Sequence, residues 1–313
     1  MEELSLATKN FSRENLIGEG KFGEVYQGLL QDGTLVAIKK RCRLPSQDFV
    51  DEVRYLSSIH HQNLVAVLGY CQENNLQFLV YEYVPNGSVS GHLYGPSQQL
   101  NEKLGFKHRC SISLGAAKGL AHLHSLRPSL VHTDFKTANV LLDENYFAKV
   151  ADAGVHNFLG RNEITGPSSL VDSEEIFLAP EVREFRQFSD KSDVYSFGVF
   201  LLQLLIGKAE AKSLSLSSIN QNLVELVMSN QDNGNMSNII DPRMLSSFTT
   251  EGMEDFILLI VRCLNPSSEI RPTMNDVVME LDRIFKIEMK SISFNDAGSL
   301  NVTLGSELFL GSE

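Results

Sequence analysis

The sequence has few cysteines, a deficit of basic residues and no apolar run long enough to cross a membrane. Its four cysteines are scattered without a C-x-x-C pair, which favours reduced thiols over disulfides or a zinc site. Acidic residues outnumber basic ones by 39 to 27, and the formal charge of −12 argues against a surface for nucleic acid or anionic lipid. The most apolar stretch, Val194 to Ile206, contains Ser196 and Gln203 and is too short to span a bilayer.

The N-terminus carries no targeting signal, because Met1-Glu2-Glu3 begins neither a signal peptide nor a myristoylation site. We therefore expect a cytoplasmic protein. It is either free or held at the inner face of the plasma membrane, through a partner or through an N-terminal segment that this sequence lacks. The chain is also compatible with being the intracellular part of a longer receptor.

Strand-like patterns dominate the first part of the chain and helical patterns the rest, which predicts an α+β fold of two lobes. The 313 residues, 42% of them apolar, suffice for two lobes of ordinary size. The patterns divide the chain into an N-terminal extension at 1–14, a strand-rich lobe at 15–84, a helical lobe at 85–285 and a flexible tail at 286–313.

Four helices are predicted from apolar residues that recur at three and four positions: Gln47 to Ile59, Phe106 to Leu126, Glu254 to Leu264 and Met274 to Phe285. A short polar helix is also expected within the N-terminal extension. Residues 208–250 are rich in serine and asparagine and are expected to form a loop with short helices.

Gly18 to Val25 reads G-x-G-x-x-G-x-V, a glycine pattern shared by dinucleotide-binding turns and phosphate-binding hairpins. A dinucleotide-binding turn opens a helix. Here the strand-like segments Val25 to Leu30 and Leu35 to Lys39 follow, on either side of a turn at Gln31-Asp32-Gly33. We therefore interpret the segment as a hairpin loop whose glycines let backbone N–H groups approach phosphate oxygens.

Lys39 ends the apolar run Val36-Ala37-Ile38-Lys39, sixteen residues after Gly23. A lysine that closes a strand can be an ordinary edge charge, but at this interval after the glycine loop it is a candidate to bind the α- and β-phosphates. Glu52, on the following helix, is the carboxylate that we expect to pair with Lys39 and orient it. The alternative for Glu52 is one more solvated helix charge.

A later cluster, which begins at His132, has the spacing by which protein kinases place a base and hold Mg²⁺. Asp134 is the candidate to accept the proton of an attacking hydroxyl, and Lys136 to neutralise the transferring phosphoryl charge. Asn139 and Asp152 are candidates to supply oxygens to Mg²⁺. A lysine at position 136 favours serine and threonine substrates over tyrosine.

Other motifs extend this pattern over about residues 11 to 285, among them Leu6-Ala7-Thr8-Lys9-Asn10-Phe11-Ser12, Gly69-Tyr70-Cys71, Ala179-Pro180-Glu181 and Arg271-Pro272-Thr273. On these motifs the chain resembles the plant receptor-like and receptor-like cytoplasmic protein kinases, which are related to the Pelle and interleukin-receptor-associated kinases. The resemblance implies a bilobal kinase fold with ATP and Mg²⁺ between the lobes. It also implies protein substrates or components of a receptor complex as partners.

The resemblance further implies roles for individual residues. Tyr81 would be the gatekeeper of the nucleotide cleft, Asp193 would brace the catalytic loop, and Glu181 would form a buried ion pair with Arg271. The backbone at Glu82 and Val84 would hold adenine. The residues expected around the nucleotide are Ile17, Gly18, Glu19, Gly20, Gly23, Val25, Ala37, Lys39, Glu52, Tyr81, Glu82, Val84 and Leu141.

Two departures from the family pattern lie in the catalytic centre. Thr133 stands where most kinases have arginine, so the loop lacks the cation that would bind a phosphate on the activation segment. Ala153 replaces the phenylalanine of D-F-G, whose ring packs in the family with His132, Leu56 and Leu68. Truncating a buried phenylalanine costs ~3–5 kcal/mol unless neighbouring side chains fill the space.

A third departure lies before Ala179. Ser173-Glu174 stands where the family has a Gly-Thr pair, and Ile176 replaces a glycine. A carboxylate at Glu174 would repel Asp134 and could sequester Lys136.

The sequence therefore supports two functions. The first is Mg²⁺-dependent transfer of the γ-phosphoryl group of ATP to serine or threonine, and the set of polar residues favours it. The second is a pseudokinase that binds nucleotide and partners and acts as a signalling scaffold, which Ala153 and residues 172–176 favour. A small-molecule kinase, the third class considered, is disfavoured by the Ala-Pro-Glu motif and its pairing with Arg271.

Overall fold

The computed structural model describes residues 1–19, 23–95, 104–154, 176–207, 240–244 and 248–297, with side chains as far as residue 290. Strands β1 to β7 are Leu16–Glu19, Glu24–Leu29, Leu35–Cys42, Val67–Glu73, Leu76–Glu82, Val140–Leu142 and Ala148–Val150. Helices α1 to α8 are Glu2–Ala7, Gln47–Ser57, Val89–Tyr94, Phe106–Ser125, Pro180–Phe185, Asp190–Ile206, Thr250–Cys263 and Met274–Ala297. Short 3-10 turns lie at Arg13–Asn15, Thr137–Asn139 and Pro242–Met244.

Strands β1 to β5 form one antiparallel sheet in the order β1-β2-β3-β5-β4. The predicted hairpin joins β2 to β3, and its turn is closed by a hydrogen bond of 2.9 Å from the Leu30 N–H to the Thr34 carbonyl. Because side chains alternate along a strand, Ala37 and Lys39 face the helical lobe whereas Ile38 faces away from it. The α+β arrangement of two lobes is confirmed.

The N-terminal extension covers the outer face of this sheet. Leu4 of α1 and Phe11 pack against a small apolar cluster on β3 and β5, which consists of Val36, Ile38, Phe78 and Val80. The predicted polar helix is therefore amphipathic, and its buried side belongs to the first lobe.

Helix α2 begins at a serine cap, because the Ser46 hydroxyl accepts a hydrogen bond of 3.2 Å from the Phe49 N–H. Phe49, Val53 and Leu56 recur at helical spacing and are buried against the main core. The helix ends at Ser57, two residues before the predicted end.

The second lobe is built around α4, which packs against α6, β7 and α8. Small residues on α4 allow a close approach by the chain that connects α2 to β4. A Cβ atom at Gly119 would come within 2.7 Å of the Asn63 carbonyl oxygen. Asn63 also donates a side-chain hydrogen bond of 2.8 Å to the Ala148 carbonyl, so this connection is attached to the helical lobe.

A buried guanidinium fixes one end of the helical lobe. Arg109 of α4 donates hydrogen bonds to the carbonyls of Leu104 and Leu204 and lies 2.6 Å from the Asp241 carboxylate. Asp241 is in turn fixed to α6, because its N–H donates a hydrogen bond of 2.9 Å to the Leu205 carbonyl. Residues on both sides of the stretch 208–239 are thus tied to one side chain.

The last predicted helix, Met274 to Phe285, is longer in the structure than predicted. Helix α8 continues to Ala297, and the Glu288 carboxylate is buried, where it accepts hydrogen bonds from the N–H and hydroxyl of Thr249. The rest of the predicted tail, and most of the predicted loop at 208–250, lie outside the described residues.

Two negative findings apply to the part of the chain that the structure describes. No helix in it is long and apolar enough to cross a bilayer. No group of three or more His, Cys, Asp or Glu side chains in it could hold a metal ion.

Candidate functional site

Lys39 lies at the junction of the lobes, on the face of β3 that is turned towards the second lobe. Its ammonium group forms an ion pair with the Asp152 carboxylate and lies 5.4 Å from the ring centroid of Tyr81. Asp152 follows β7 in a left-handed conformation with φ of 66°. The residue predicted to bind phosphate and one predicted to bind metal therefore lie side by side.

The predicted ion pair between Lys39 and Glu52 is not among the pairs formed by the described residues, so this prediction is wrong for this structure. The physical reason is the turn after β7, which brings a carboxylate from residue 152 to the ammonium group. Glu52 is half-buried on α2, next to the buried face that Val53 and Leu56 form.

Asp134 and Lys136 come together at the predicted base. Their carboxylate oxygen and ammonium nitrogen lie 3.2 Å apart. The Asn139 side chain donates hydrogen bonds of 2.8 Å to the Asp134 carbonyl and 3.3 Å to its carboxylate. The Ala151 N–H donates a bond of 2.8 Å to the Asn139 carbonyl, which places both predicted metal ligands next to each other. Amide and carboxylate oxygens suit Mg²⁺, so the donors present fit that ion.

Asp193 fixes the backbone of the loop that carries the predicted base, Asp134. Its buried carboxylate accepts hydrogen bonds of 2.7 Å from the His132 N–H and 3.0 Å from the Thr133 N–H. It also lies 2.8 Å from His124 Nε2, a contact that sequence reasoning missed. The one signal in the sequence for this contact is the position of His124 in the last turn of α4, shortly before the loop that Asp193 binds.

His132 packs inside the second lobe as a structural histidine. Its ring is fully buried, and Nε2 lies 2.9 Å from the Ala151 carbonyl, directly before Asp152. One backbone carbonyl thereby joins the loop of the predicted base to the loop of the predicted metal ligand.

Most of the residues expected around the nucleotide lie on the strands of the sheet. Cross-strand pairs bring Val25 next to Lys39, and Ala37 next to Tyr81, while Leu141 lies on β6 in the second lobe. Ile17, Gly18 and Glu19 form the end of β1, and Gly20 lies outside the described residues. Gly23 has φ of 143°, and a side chain there would overlap the Lys40 carbonyl, so only glycine fits.

Strand β5, which leads to the second lobe, carries Tyr81 and Glu82, and Val84 follows it. Tyr81 is almost fully buried, and burial, with a smaller contribution from Asp152, raises the pKa of its hydroxyl well above the usual range. The Glu82 N–H donates a bond of 3.0 Å to the Ala66 carbonyl, and Val84 is buried. The side chain at the position expected to be the gatekeeper is therefore a neutral, tightly packed phenol.

A small pocket of about 30 Å³ lies beside Ala153, between α2 and the loop of Asp152. Its walls include Leu56, Val67 and Tyr81, so the neighbouring side chains fill the space beside Ala153 only in part. The predicted wall residue Leu68 points outward with 52% of its surface exposed. A register shift between Val67 and Gly69 turns it away and presents Val67 instead.

Glu181 and Arg271 form the ion pair that the resemblance implied. Both terminal guanidinium nitrogens donate to the carboxylate, at 2.6 and 2.8 Å, and the guanidinium carbon lies 5.0 Å from the Tyr195 ring centroid. Burial opposes ionisation of Glu181, but the hydrogen bonds from Arg271 outweigh it and lower the pKa of the carboxyl. Glu174 lies outside the described residues, so the predicted effect of its carboxylate stays a prediction.

Comparisons with protein families, with curated proteins and with solved structures all match this chain to protein kinases or kinase-like domains. A family model described as protein tyrosine and serine/threonine kinase matches residues 11–281. The chain is 39% identical over 302 residues to the probable serine/threonine-protein kinase PBL28 of Arabidopsis thaliana, and this match covers 93% of the chain and 79% of the relative. It is 38% identical over 302 residues to the nodulation receptor kinase of Pisum sativum, covering 93% of the chain.

The chain spans only 32% of the length of the nodulation receptor kinase, and a similar share of other receptor relatives. Among solved structures, it is similar to the pseudokinase domain of BIR2, an immune regulator of the RLK/Pelle family. That match has a TM-score of 0.75 and 29% sequence identity, and it covers 95% of this chain and 89% of the other.

Proposed function

The chain belongs to the protein tyrosine and serine/threonine kinase family, and we propose that it transfers the γ-phosphoryl group of ATP to serine or threonine hydroxyls of proteins. The observation that supports this most directly is the contact of 3.2 Å between Asp134 and Lys136. The contact places a proton acceptor, Asp134, beside a cation, Lys136. Phosphoryl transfer to a hydroxyl requires both groups at the same point.

In the proposed mechanism the substrate hydroxyl donates a hydrogen bond to Asp134, which orients it and accepts its proton. The hydroxyl oxygen bonds to the γ-phosphorus while the bond from that phosphorus to the ADP oxygen breaks, and ADP leaves. Lys136 stabilises the negative charge that develops on the transferred group. Asn139 holds Asp134 in place through the hydrogen bond to its backbone carbonyl. Positioning and charge stabilisation are the main contributions that a protein can make to this reaction.

The same proposal assigns nucleotide binding to the cleft. Asn139 and Asp152 would hold Mg²⁺, which when bound neutralises charge on the β- and γ-phosphate oxygens. Lys39 lies beside Asp152 and would bind the α- and β-phosphates, while Tyr81 closes the rear of the cleft. These roles are supported by the hydrogen bonds that join the loops of Asp134 and Asp152 through His132 and Asn139.

We further propose that residues 15–84 and 85–285 form the two lobes of the catalytic unit and that it acts in the cytoplasm. Protein substrates and components of a receptor complex are the proposed partners. The names of the relatives, which include receptor kinases and a serine/threonine kinase, support this choice.

A second candidate is a pseudokinase that binds nucleotide and acts as a scaffold. The pocket beside Ala153 favours it, because the apolar packing between α2 and the metal-binding loop is incomplete there. The similarity to the BIR2 pseudokinase domain also favours it.

One experiment separates the two candidates. Purified protein is incubated with labelled ATP, Mg²⁺ and a generic basic protein substrate, beside an Asp134→Asn variant of nearly identical shape. We expect label in the substrate with the wild type and a loss of at least about 100-fold with the variant. Equal signal in both samples would remove the catalytic proposal.

Calorimetric titration of Mg·ATP into the same two proteins completes the test. Binding without transfer would support the scaffold, whereas the absence of binding in folded wild-type protein would contradict both candidates. Lys39→Met serves as the control that should weaken binding without disturbing Asp134.

A further inference from the structure

We propose that residues 1–12 form a brace that positions the glycine-rich loop, acting through Phe11, Lys40 and Glu24. Residues 1–10 precede the segment that the kinase family model matches, and the mechanism above gives them no role. The part of this inference that concerns nucleotide affinity rests on the nucleotide binding proposed above. Phe11, Tyr26 and Lys40 are positioning residues, because they act on the loop through Glu24.

The brace is held firmly on the sheet. Leu4 and Thr8 are buried, whereas Leu6 on the same helix is 62% exposed. The Thr8 hydroxyl donates a hydrogen bond of 2.7 Å to the Leu4 carbonyl and accepts one of 3.0 Å from the Phe11 N–H. Gly28 on β2 makes the close approach possible, because a side chain there would contact Ala7 and crowd Ile38.

The turn that delivers Phe11 is conformationally unfavourable. Lys9, Asn10 and Phe11 all adopt left-handed backbone angles, with φ of 52°, 58° and 54°. Non-glycine residues rarely do so in succession, and such strain persists only where surrounding contacts overdetermine it. Here the Asn15 side chain holds the turn by donating a hydrogen bond of 2.8 Å to the Thr8 carbonyl.

Phe11 forms the contact between the brace and the sheet. Its ring stacks on Phe78 at 5.4 Å and meets the edge of Tyr26 at 5.3 Å. The ammonium group of Lys40 lies 5.0 Å from the centroid of the Phe11 ring and 5.8 Å from that of Tyr26. The two rings thus attract a cation and hold it at a fixed place.

Lys40 carries this contact to the loop. It lies directly opposite Glu24 in the register of β2 and β3, and its ammonium group is 3.3 Å from the Glu24 carboxylate. The Tyr26 hydroxyl donates a hydrogen bond of 2.9 Å to the same carboxylate. Glu24 follows Gly23, whose backbone packs against the Lys40 carbonyl, so side chain and backbone both fix the point where the loop rejoins the sheet.

Consecutive side chains of β3 point to opposite faces of the sheet, so this strand connects the cleft on one face with the brace on the other. Lys39 reaches into the cleft towards Asp152, and Lys40, the next residue, faces the brace. Displacement of the brace would free Lys40 and Glu24 together and loosen the strands that carry both the glycine loop and Lys39.

The first test compares Phe11→Ala with Leu6→Ala, which removes an exposed side chain from the same segment. The readouts are the dissociation constant of a fluorescent ADP analogue, measured well below the unfolding temperature, and hydrogen exchange of β1 and β2 amides without nucleotide. We expect Phe11→Ala to weaken binding by about 3- to 10-fold and to accelerate exchange, since coupling through packed side chains has this size. Leu6→Ala should change neither.

A second variant keeps the proposal testable if Phe11→Ala folds poorly. Lys40→Met preserves a long side chain against the rings but removes the charge that holds Glu24, and we expect the same loss of affinity with faster exchange in β2. A merely structural role would lower the unfolding temperature and leave affinity and local exchange unchanged. Wild-type affinity and exchange in both variants would overturn the brace.

The failure of the proposed function has a different signature. If the wild type binds no nucleotide, nucleotide binding is wrong, and the exchange of β1 and β2 amides in the three variants still decides whether the brace acts on the loop.

Discussion

The ammonium group of Lys149 lies 2.9 Å from a carboxylate oxygen of Glu82, and this ion pair joins β7 of the second lobe to the last residue of β5. The same carboxylate accepts a hydrogen bond of 2.8 Å from the Ala66 N–H. The connection from α2 to β4 is fixed to β7 as well, because the Val65 N–H donates to the Val150 carbonyl at 2.9 Å. One glutamate therefore holds three segments at the boundary of the lobes.

We expect Lys149→Met to lower the free energy of unfolding by about 1 kcal/mol, because it removes the charge partner of a half-buried carboxylate. Hydrogen exchange at the Ala66 amide should accelerate, since the bond to Glu82 is no longer supported. Lys286→Met, which breaks an exposed pair with Asp282, is the matched control and should have little effect on either. Unchanged exchange at Ala66 would contradict the role given to Glu82.

Ala153→Val is expected to stabilise the protein by about 0.5–2 kcal/mol, because two added methyl groups fill the small pocket between Leu56 and Tyr81. Urea denaturation of the wild type and the variant measures the difference. Ala153→Ser adds little volume and should not stabilise. A lower unfolding midpoint for the valine variant would mean that the pocket walls cannot accept the added methyl groups.

Glu181→Ala is expected to lower the free energy of unfolding by about 3–5 kcal/mol, because it leaves the buried Arg271 guanidinium without its counter-charge. The control is Glu184→Ala, which removes an exposed carboxylate from the same short helix. Chemical denaturation of both variants makes the comparison. Equal losses would show that the ion pair contributes no more than any surface glutamate.

A pH dependence is expected from His61, whose ring stacks on His122 with centroids 4.7 Å apart. Burial, with smaller contributions from the charges of His122 and Lys118, lowers the pKa of His61 below its ordinary value of 6.5. The unfolded chain therefore binds a proton more readily, so the contribution of His61 is complete above pH 6.5 and is lost as the pH falls through the lowered pKa.

The measurement is urea denaturation of the wild type and His61→Asn from about pH 7.5 to about pH 5. Asparagine keeps an acceptor for the Asn63 N–H but does not titrate. The wild type should lose more stability than the variant over this range. Parallel curves would exclude a contribution from His61.

We expect catalysis not to depend on phosphorylation of the activation segment, because Thr133 cannot bind a phosphate there as an arginine would. The Thr133 N–H is bound to Asp193, and its hydroxyl oxygen is buried with no partner in the part of the chain described, so no cation is offered to a phosphate. Activity should be equal before and after phosphatase treatment, with heat-inactivated phosphatase as the control. A large loss on dephosphorylation would show that another residue binds the phosphate.

Local patterns predicted most of the elements, because each depends on residues close in sequence. The turn at Gln31-Asp32-Gly33 is a hairpin, and α4 ends at Ser125, one residue before the predicted end. The cluster from Asp134 to Asn139 comes together because one short loop carries all its members.

The errors arose where the outcome depends on long-range geometry. The partner of Lys39 lies 113 residues away and depends on the backbone turn at Asp152. A register shift in β4 exchanged Leu68 for Val67 on the inner face. The extension of α8 is fixed by the burial of Glu288 against Thr249, a contact that no periodicity indicates.

The guanidinium of Arg109 has a consequence for how such a chain can vary. Because it ties the carbonyl of Leu204 and the carboxylate of Asp241 to one point, the two borders of residues 208–239 stay in register whatever lies between them. A longer loop between them costs little more to close, because the entropic cost of loop closure rises only with the logarithm of the loop length. Additional residues can therefore be inserted between these borders, by evolution or by design, while the surrounding helices keep their arrangement.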